Sequence, residues 1–198
     1  MTGKLVVGIT GASGAIYGVR FLRYAAQHFE QVLVIVSEHA LSVARTELGL
    51  DVHMHNLSAR RLLGGDYPNI LFLNPRDYFT PPASGSFRHD GMVIIPCSMG
   101  TAGRIAHGVS DDLMTRAADV CLKERRKLIL VVRETPFSLV HLRTLTALTE
   151  AGAIVLPASP AFYHNPRTIE ELVDTVVARV LQQLGVEQRI APQWQVDE

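Results

Sequence analysis

The stretch KLVVGITGASGAIYGVR, residues 4–20, decides the fold: an apolar, β-branched run passes through a corner of small residues into a segment of helical character. The small side chains between Gly8 and Gly18 let backbone N–H groups at a helix N-terminus approach an anion or a ring closely. The spacing is not GxGxxG, and the second β-branched run, Val32–Val36, ends in Ser37, where a reader of adenine ribose would place an acid. The corner therefore reads as a phosphate or flavin loop in preference to a dinucleotide site, with a plain strand-to-helix turn as the alternative.

Outward from this corner the same alternation recurs. Strands are expected at Leu5–Ile9, Val32–Val36, Met92–Ile95, Leu128–Val132 and Ala153–Leu156, with a weaker sixth at Ile70–Leu73. Helices are expected at Ala15–His28, Glu38–Leu48, Asp111–Arg126, Ser138–Glu150 and Thr168–Leu184. The apolar runs are continuous, as in strands buried on both faces, and the pattern predicts a layered α/β domain with a mostly parallel sheet and right-handed crossovers. Residues 51–88, rich in proline, glycine and serine, read as a long excursion with little periodicity.

Composition narrows the function. The 198 residues are 47% hydrophobic, enough for one domain with a sizeable core. Lys plus Arg is 19 and Asp plus Glu is 19, a balance that argues against nucleic acid or an anionic membrane as partner. Any phosphate chemistry must rest on a few placed cations. Cys97 and Cys121 have neither disulfide-framework nor zinc spacing, and the first apolar run is too short for a signal or a span, so a cytoplasmic protein without membrane insertion is expected.

A second corner, Pro96-Cys97-Ser98-Met99-Gly100-Thr101, follows the strand Met92–Ile95. Ser13, Ser37, Ser98 and Thr101 would all sit at the carboxyl ends of strands, where open α/β sheets bind ligands, although each hydroxyl alone is commonly a helix cap. Arg133 and Glu134 follow the strand Leu128–Val132 and emerge at the same edge, suited to holding a phosphate and moving a proton. Arg116 and Lys123 share a helix face and could instead belong to a solvated face of i,i+4 pairs, Asp112–Arg116 and Asp119–Lys123. His53 and His55 lack a supporting ligand set, so no metal is expected, and Cys97 reads as an inert thiol. Trp194, in a polar tail, reads as an anchor on a neighbouring surface.

The sequence resembles the UbiX/Pad flavin prenyltransferases over nearly its whole length. The resemblance is carried by GITGASGAIYGVR (8–20), SGSF (84–87), PCSMGT (96–101), TRAADVCLKERRKLILVVRETP (115–136) and PAFYHNP (160–166), and is weakest over 51–79. It implies a Rossmann-like, flavodoxin-type three-layer sandwich assembled into a dodecamer with active sites at subunit junctions, the tail from about residue 186 packing on a neighbour. It implies metal-independent transfer of a dimethylallyl group from dimethylallyl monophosphate to N5 and then C6 of reduced FMN, giving prenylated FMN for UbiD-type decarboxylases. By motif, Gly11, Ala12, Ser13, Ser37, Ser98, Met99, Gly100, Thr101 and Arg133 would contact FMN. Gly85, Arg116, Lys123, Arg133, Tyr163 and Arg179 would surround the prenyl phosphate, with Lys123 from a neighbouring subunit. Ser13 would lie near N5, and Glu47 and Glu134 are the acids suited to proton transfer. The tail departs from the family pattern at Gln193, where an arginine is usual. A flavin-dependent decarboxylase of related fold and a non-enzymatic FMN carrier are the alternatives.

Overall fold

The computed structural model describes residues 3–191. Its centre is one six-stranded, wholly parallel sheet: β1 (Lys4–Ile9), β2 (Gln31–Val36), β3 (Ile70–Leu73), β4 (Gly91–Cys97), β5 (Leu128–Val132) and β6 (Ile154–Pro157), in the order β3-β2-β1-β4-β5-β6. Without the short edge strand β3, this is the five-strand flavodoxin-type order. The continuous β-branched runs predict the result: β4 and β5 are buried at every position, and all but the first residue of β1 are too.

The helices are α1 (Ala15–His28), α2 (Glu38–Leu48), α3 (Ala59–Leu63), α4 (Met99–Ala106), α5 (Leu113–Lys123), α6 (Leu139–Glu150) and α7 (Ile169–Gln183). Alternate strand residues feed two cores. Leu5, Val7 and Ile9 pack with Phe21 and Leu22 of α1 and Val177 of α7, while Val6, Met92 and Ile94 pack with Met114 and Ala118 of α5. Each large side chain so buried contributes about 1.5–3 kcal/mol, and together they make the middle layer of a three-layer sandwich.

The chain winds from β1 to β2 and β3 on one side, then restarts at β4 and winds the other way. Helix α1 therefore covers one face and α4 and α5 the other, leaving a crevice outside the carboxyl ends of β1 and β4. Close approach here demands small residues. A methyl on Gly18 of α1 would lie 2.9 Å from the Ile95 carbonyl of β4, and one on Gly8 would lie 3.0 Å from Met114 Sδ.

The expected excursion is mostly irregular but holds three short elements. It carries α3, capped by Ser58, then β3 and a 3-10 turn at Pro81–Ala83. The strand β3 stands where the weaker sixth strand is expected, whereas the five-residue α3 gives too little periodicity to register in sequence. Helix α4 was also unexpected, because its eight residues follow directly on the Pro96–Thr101 corner. Residues 186–191 turn back on their own core, where Val186 and Ile190 pack and the buried Gln188 accepts from the Ile190 and Ala191 N–H groups. Gln193 and Trp194 lie outside the described residues.

Candidate active site

The crevice is built by stitching strand ends together. Thr10, just past β1, donates its hydroxyl to the Pro96 carbonyl at 2.8 Å and accepts the Ser98 N–H at 2.8 Å, so one buried side chain ties the β1 and β4 corners. The Ser37 N–H donates to the Ile9 carbonyl at 3.0 Å, and the Arg133 N–H donates to the Cys97 carbonyl at 3.1 Å. Ser13, Ser37, Ser98, Thr101 and Arg133 thereby come to one edge of the sheet, as their positions after strands predict.

Two of the hydroxyls are caps as well. Ser37 accepts from the Ala40 N–H at the start of α2, and Ser98 accepts from the Thr101 N–H at the start of α4 while its hydroxyl bonds Thr101 Oγ1 at 3.1 Å. Next to Ser98, a side chain at Gly100 would meet nothing within 4 Å, so the first turn of α4 faces open space with its N–H groups and positive dipole end. Hydroxyls, exposed amides and Arg133 form a donor set that fits an anionic phosphate and a polar ring.

Helix α1 is the exception among the caps. Gly14, at φ +102°, occupies its N-cap position and brings no side chain; instead the Glu47 carboxylate of α2 accepts from the Gly14 N–H at 2.9 Å and the Ala15 N–H at 2.8 Å. Partial burial pushes the Glu47 carboxyl upward, but hydrogen bonds from the Ser13 hydroxyl and the Ala15 and Gly14 amides, with the charge of Arg133, together hold it below its ordinary value. Glu47 is thus a carboxylate that fixes the Ser13 loop, and Arg133 stands close enough to act on it. Tyr17 is nearby: burial raises its phenol and Arg133 opposes the rise. Glu134, half-buried beside Arg133, accepts the Thr135 N–H on Oε1 at 3.0 Å.

The other expected residues stand elsewhere. Lys123 ends α5 shortly before β5 begins, so it lies at the amino ends of the strands, across the sheet from the crevice. There it pairs with Glu124 and meets Gly85. Arg116, in the first turn of α5, donates to the Ala83 carbonyl at 3.1 Å and pairs with Asp119 at 2.9 Å. Neither expected i,i+4 pair forms: Asp112 caps α5 and pairs with Arg104, Asp119 takes Arg116, and Lys123 takes Glu124. Arg179 is exposed near the end of α7, donating to Gln182 Oε1 at 2.6 Å; the Gln183 carbonyl just beyond accepts from Lys127, which again places it toward the amino ends of the strands. Tyr163 is exposed on the segment after β6, its ring 4.2 Å from that of His164. Of the expected phosphate set, then, one chain brings Arg133, the Tyr163 segment and, one turn into α5, Arg116 toward the carboxyl edge, and leaves Gly85, Lys123 and Arg179 toward the amino edge.

Two residues that spacing does not reveal complete the picture. Arg126 donates to the Phe87 carbonyl at 2.6 Å and to the Gly85 carbonyl, clamping the SGSF segment from a position about forty residues later in sequence. Thr10 lies inside the first motif but carries no signal of its bond to Pro96. Beyond Ser37 the crevice continues into a cavity of about 820 Å³ lined in part by Met54, His55, Phe72 and Asp112. His53 and His55 stack on each other at 5.4 Å, and among the described residues no group of three metal-ligating side chains forms. No helix among them is long and apolar enough to cross a membrane.

The chain has relatives matched in sequence and in fold. The family model described as Flavoprotein matches residues 2–181. A flavin prenyltransferase UbiX of Alkalihalophilus pseudofirmus is 45% identical over 191 residues, covering 96% of this chain and 95% of that protein. The crystal structure of AnUbiX (PadA1) in complex with FMN and dimethylallyl pyrophosphate superposes with a TM-score of 0.88 at 40% identity, covering 100% of both chains. A dodecameric FMN-dependent UbiX-like decarboxylase from Escherichia coli O157:H7 superposes with a TM-score of 0.85 at 42% identity, covering 97% of this chain and 99% of that one. Matched end to end in sequence and in fold, the chain belongs to the UbiX flavin prenyltransferases of the flavoprotein family.

Proposed function

We propose that the protein transfers the dimethylallyl group of dimethylallyl monophosphate to reduced FMN, forming bonds at N5 and then C6 and releasing phosphate. The observation that carries this reading is the full-length match to a relative crystallised with FMN and a prenyl diphosphate together, set beside a crevice whose donors suit both. Gly11, Ala12, Ser13, Ser37, Arg133 and residues 98–101 would hold the flavin, which supplies the nucleophilic N5 and C6 positions.

The chain's own residues supply charge, position and proton transfer. Ionisation of an allylic phosphate develops a cation and a leaving anion, and preorganised Arg133, with Arg116, Lys123, Tyr163, Arg179 and the Gly85 amide, stabilises the charge that appears only in the transition state. Glu47 keeps Ser13 in place beside N5 by capping α1. Glu134, with Oε1 engaged by Thr135, offers Oε2 to the proton shed from C6.

Because Lys123, Gly85 and Arg179 stand across the sheet from Arg133, the reading requires them to act on a neighbour's flavin. A homo-oligomer, a dodecamer as in the Escherichia coli relative, satisfies this. The product would serve UbiD-type decarboxylases in the cytoplasm, where two unpaired buried thiols persist.

Anaerobic incubation with reduced FMN and dimethylallyl monophosphate, followed by mass spectrometry, should show a flavin heavier by one prenyl unit, undiminished by a chelator. Unaltered flavin, or carbon dioxide released from an aromatic acid by this chain alone, would overturn the reading.

A further inference from the structure

The cations offered to the prenyl phosphate are not bare. Arg116 is held by Asp119, Lys123 by Glu124 and Arg179 by the Gln182 carbonyl oxygen, whereas Arg133 has no ion pair among the described residues. The tightest of these associations is also the most confined. A methyl group on Gly85 would sit 2.4 Å from Glu124 Oε1 and 2.9 Å from Lys123 Nζ, so ammonium and carboxylate close directly over bare backbone. Arg126 fixes the backbone side of this junction by binding the Gly85 and Phe87 carbonyls. Lys123 and Glu124 are both exposed, so an incoming anion can reach the pair. The Lys123 bond and charge hold the Glu124 carboxyl below its ordinary value, which keeps it anionic as a phosphate arrives.

A phosphate that binds Lys123 must take the ammonium from Glu124 and then share the junction with the displaced carboxylate. The repulsion this creates grows with the charge of the ligand. A monophosphate ester carries about −1.5 to −2 at neutral pH, and a diphosphate carries more.

We infer that Glu124 is a specificity-determining residue that sets the charge of the phosphate subsite, favouring a monophosphate prenyl donor over a diphosphate. It acts through Lys123 and touches no reacting atom, so it is a positioning residue. The inference rests on the prenyltransferase reading above and deepens it.

The test is a comparison of KM and kcat for dimethylallyl monophosphate and dimethylallyl diphosphate in the wild type, Glu124→Gln and Glu124→Asp. Glu124→Gln should improve the KM for the diphosphate about tenfold relative to that for the monophosphate, with kcat for the monophosphate little changed, and Glu124→Asp should keep the wild-type preference. The ratio of inhibition constants for inorganic phosphate and pyrophosphate should move in the same direction, and Asp119→Asn, which frees Arg116, should shift it likewise. An unchanged donor ratio in an active Glu124→Gln enzyme, or the same shift in Glu124→Asp, would overturn the inference. A wild-type protein that prenylates no flavin with either donor would overturn instead the reading on which it rests.

Discussion

At the carboxyl ends of β1 and β4 the chain sets small residues, hydroxyls and Arg133 around open space; at the amino ends of β4 and β5 it sets Lys123, Glu124 and Arg126 against Gly85 in an internally paired junction. The first region has the donors to hold a ligand by itself. The second is already satisfied internally, and the cavity beside it, about 340 Å³ and lined in part by Leu122, Arg126 and Lys127, is less than half the size of the one beyond Ser37. Paired charge beside a small cavity on one edge and a larger cavity short of charge on the other make sense together when two copies of the chain face each other.

The strongest way to break this comparison is to disable each edge separately. Arg133→Ala and Lys123→Ala should each lower kcat/KM by about a hundredfold to a thousandfold. Co-assembled in equal amounts, the two inactive chains should recover roughly a quarter of wild-type activity, because sites drawing one residue from each chain become whole by mixing. Absence of recovery after verified co-assembly would return both edges to a single chain and end the argument from opposite edges. Within the carboxyl edge, Glu134→Gln should slow turnover about a hundredfold while the FMN dissociation constant measured by fluorescence stays within about twofold. Parallel loss of both would make Glu134 a structural carboxylate.

What the sequence revealed follows the same division. The carboxyl edge was legible because strand-to-helix corners are local: Ser37 and Ser98 both cap helices that begin at the crevice, and the small residues between Gly8 and Gly18 announce a close approach before any partner is known. The amino edge was not, since the Arg126 clamp on Gly85 and Phe87 and the placement of Lys123 across the sheet depend on how α5 lies, which no spacing encodes. The same limit hid the capping of α1, where Glu47 arrives from another helix more than thirty residues later. The local pairs expected on α5 yielded to partners that tertiary packing brought closer.

A smaller effect tests whether the Ser13 corner is held electrostatically. Glu47→Gln should cost about 1 kcal/mol, the usual worth of an N-cap, and lower the Tm by about 2–4 °C at pH 7. Because the folded-state carboxyl lies below its ordinary value of 4.5, the stabilisation is fully present above that value and disappears as pH falls through the depressed one. The wild-type and variant Tm values should therefore converge in acid. A gap that persists undiminished there would assign the loss to packing, not to the charge.

The least effect is expected from the cysteines, one at each edge. Cys97 ends β4 beside Ser98, where a nucleophile would be well placed, and Cys121 lies 3.9 Å from His89 Nε2 near the amino edge. Burial pushes both thiols up to about 12, so neither holds appreciable thiolate at neutral pH. His89 offers no activation, because burial lowers its imidazole and keeps it neutral, leaving no cation to favour a thiolate. What matters at position 97 is the backbone carbonyl that receives the Arg133 N–H, and a change of side chain leaves that bond in place. Cys97→Ala should keep kcat within about twofold, and an alkylating reagent at pH 8 should leave the native protein's mass and activity unchanged. Rapid alkylation of Cys97 with loss of turnover would show a thiol reachable from the crevice and place covalent chemistry at the edge where only binding and proton transfer are expected.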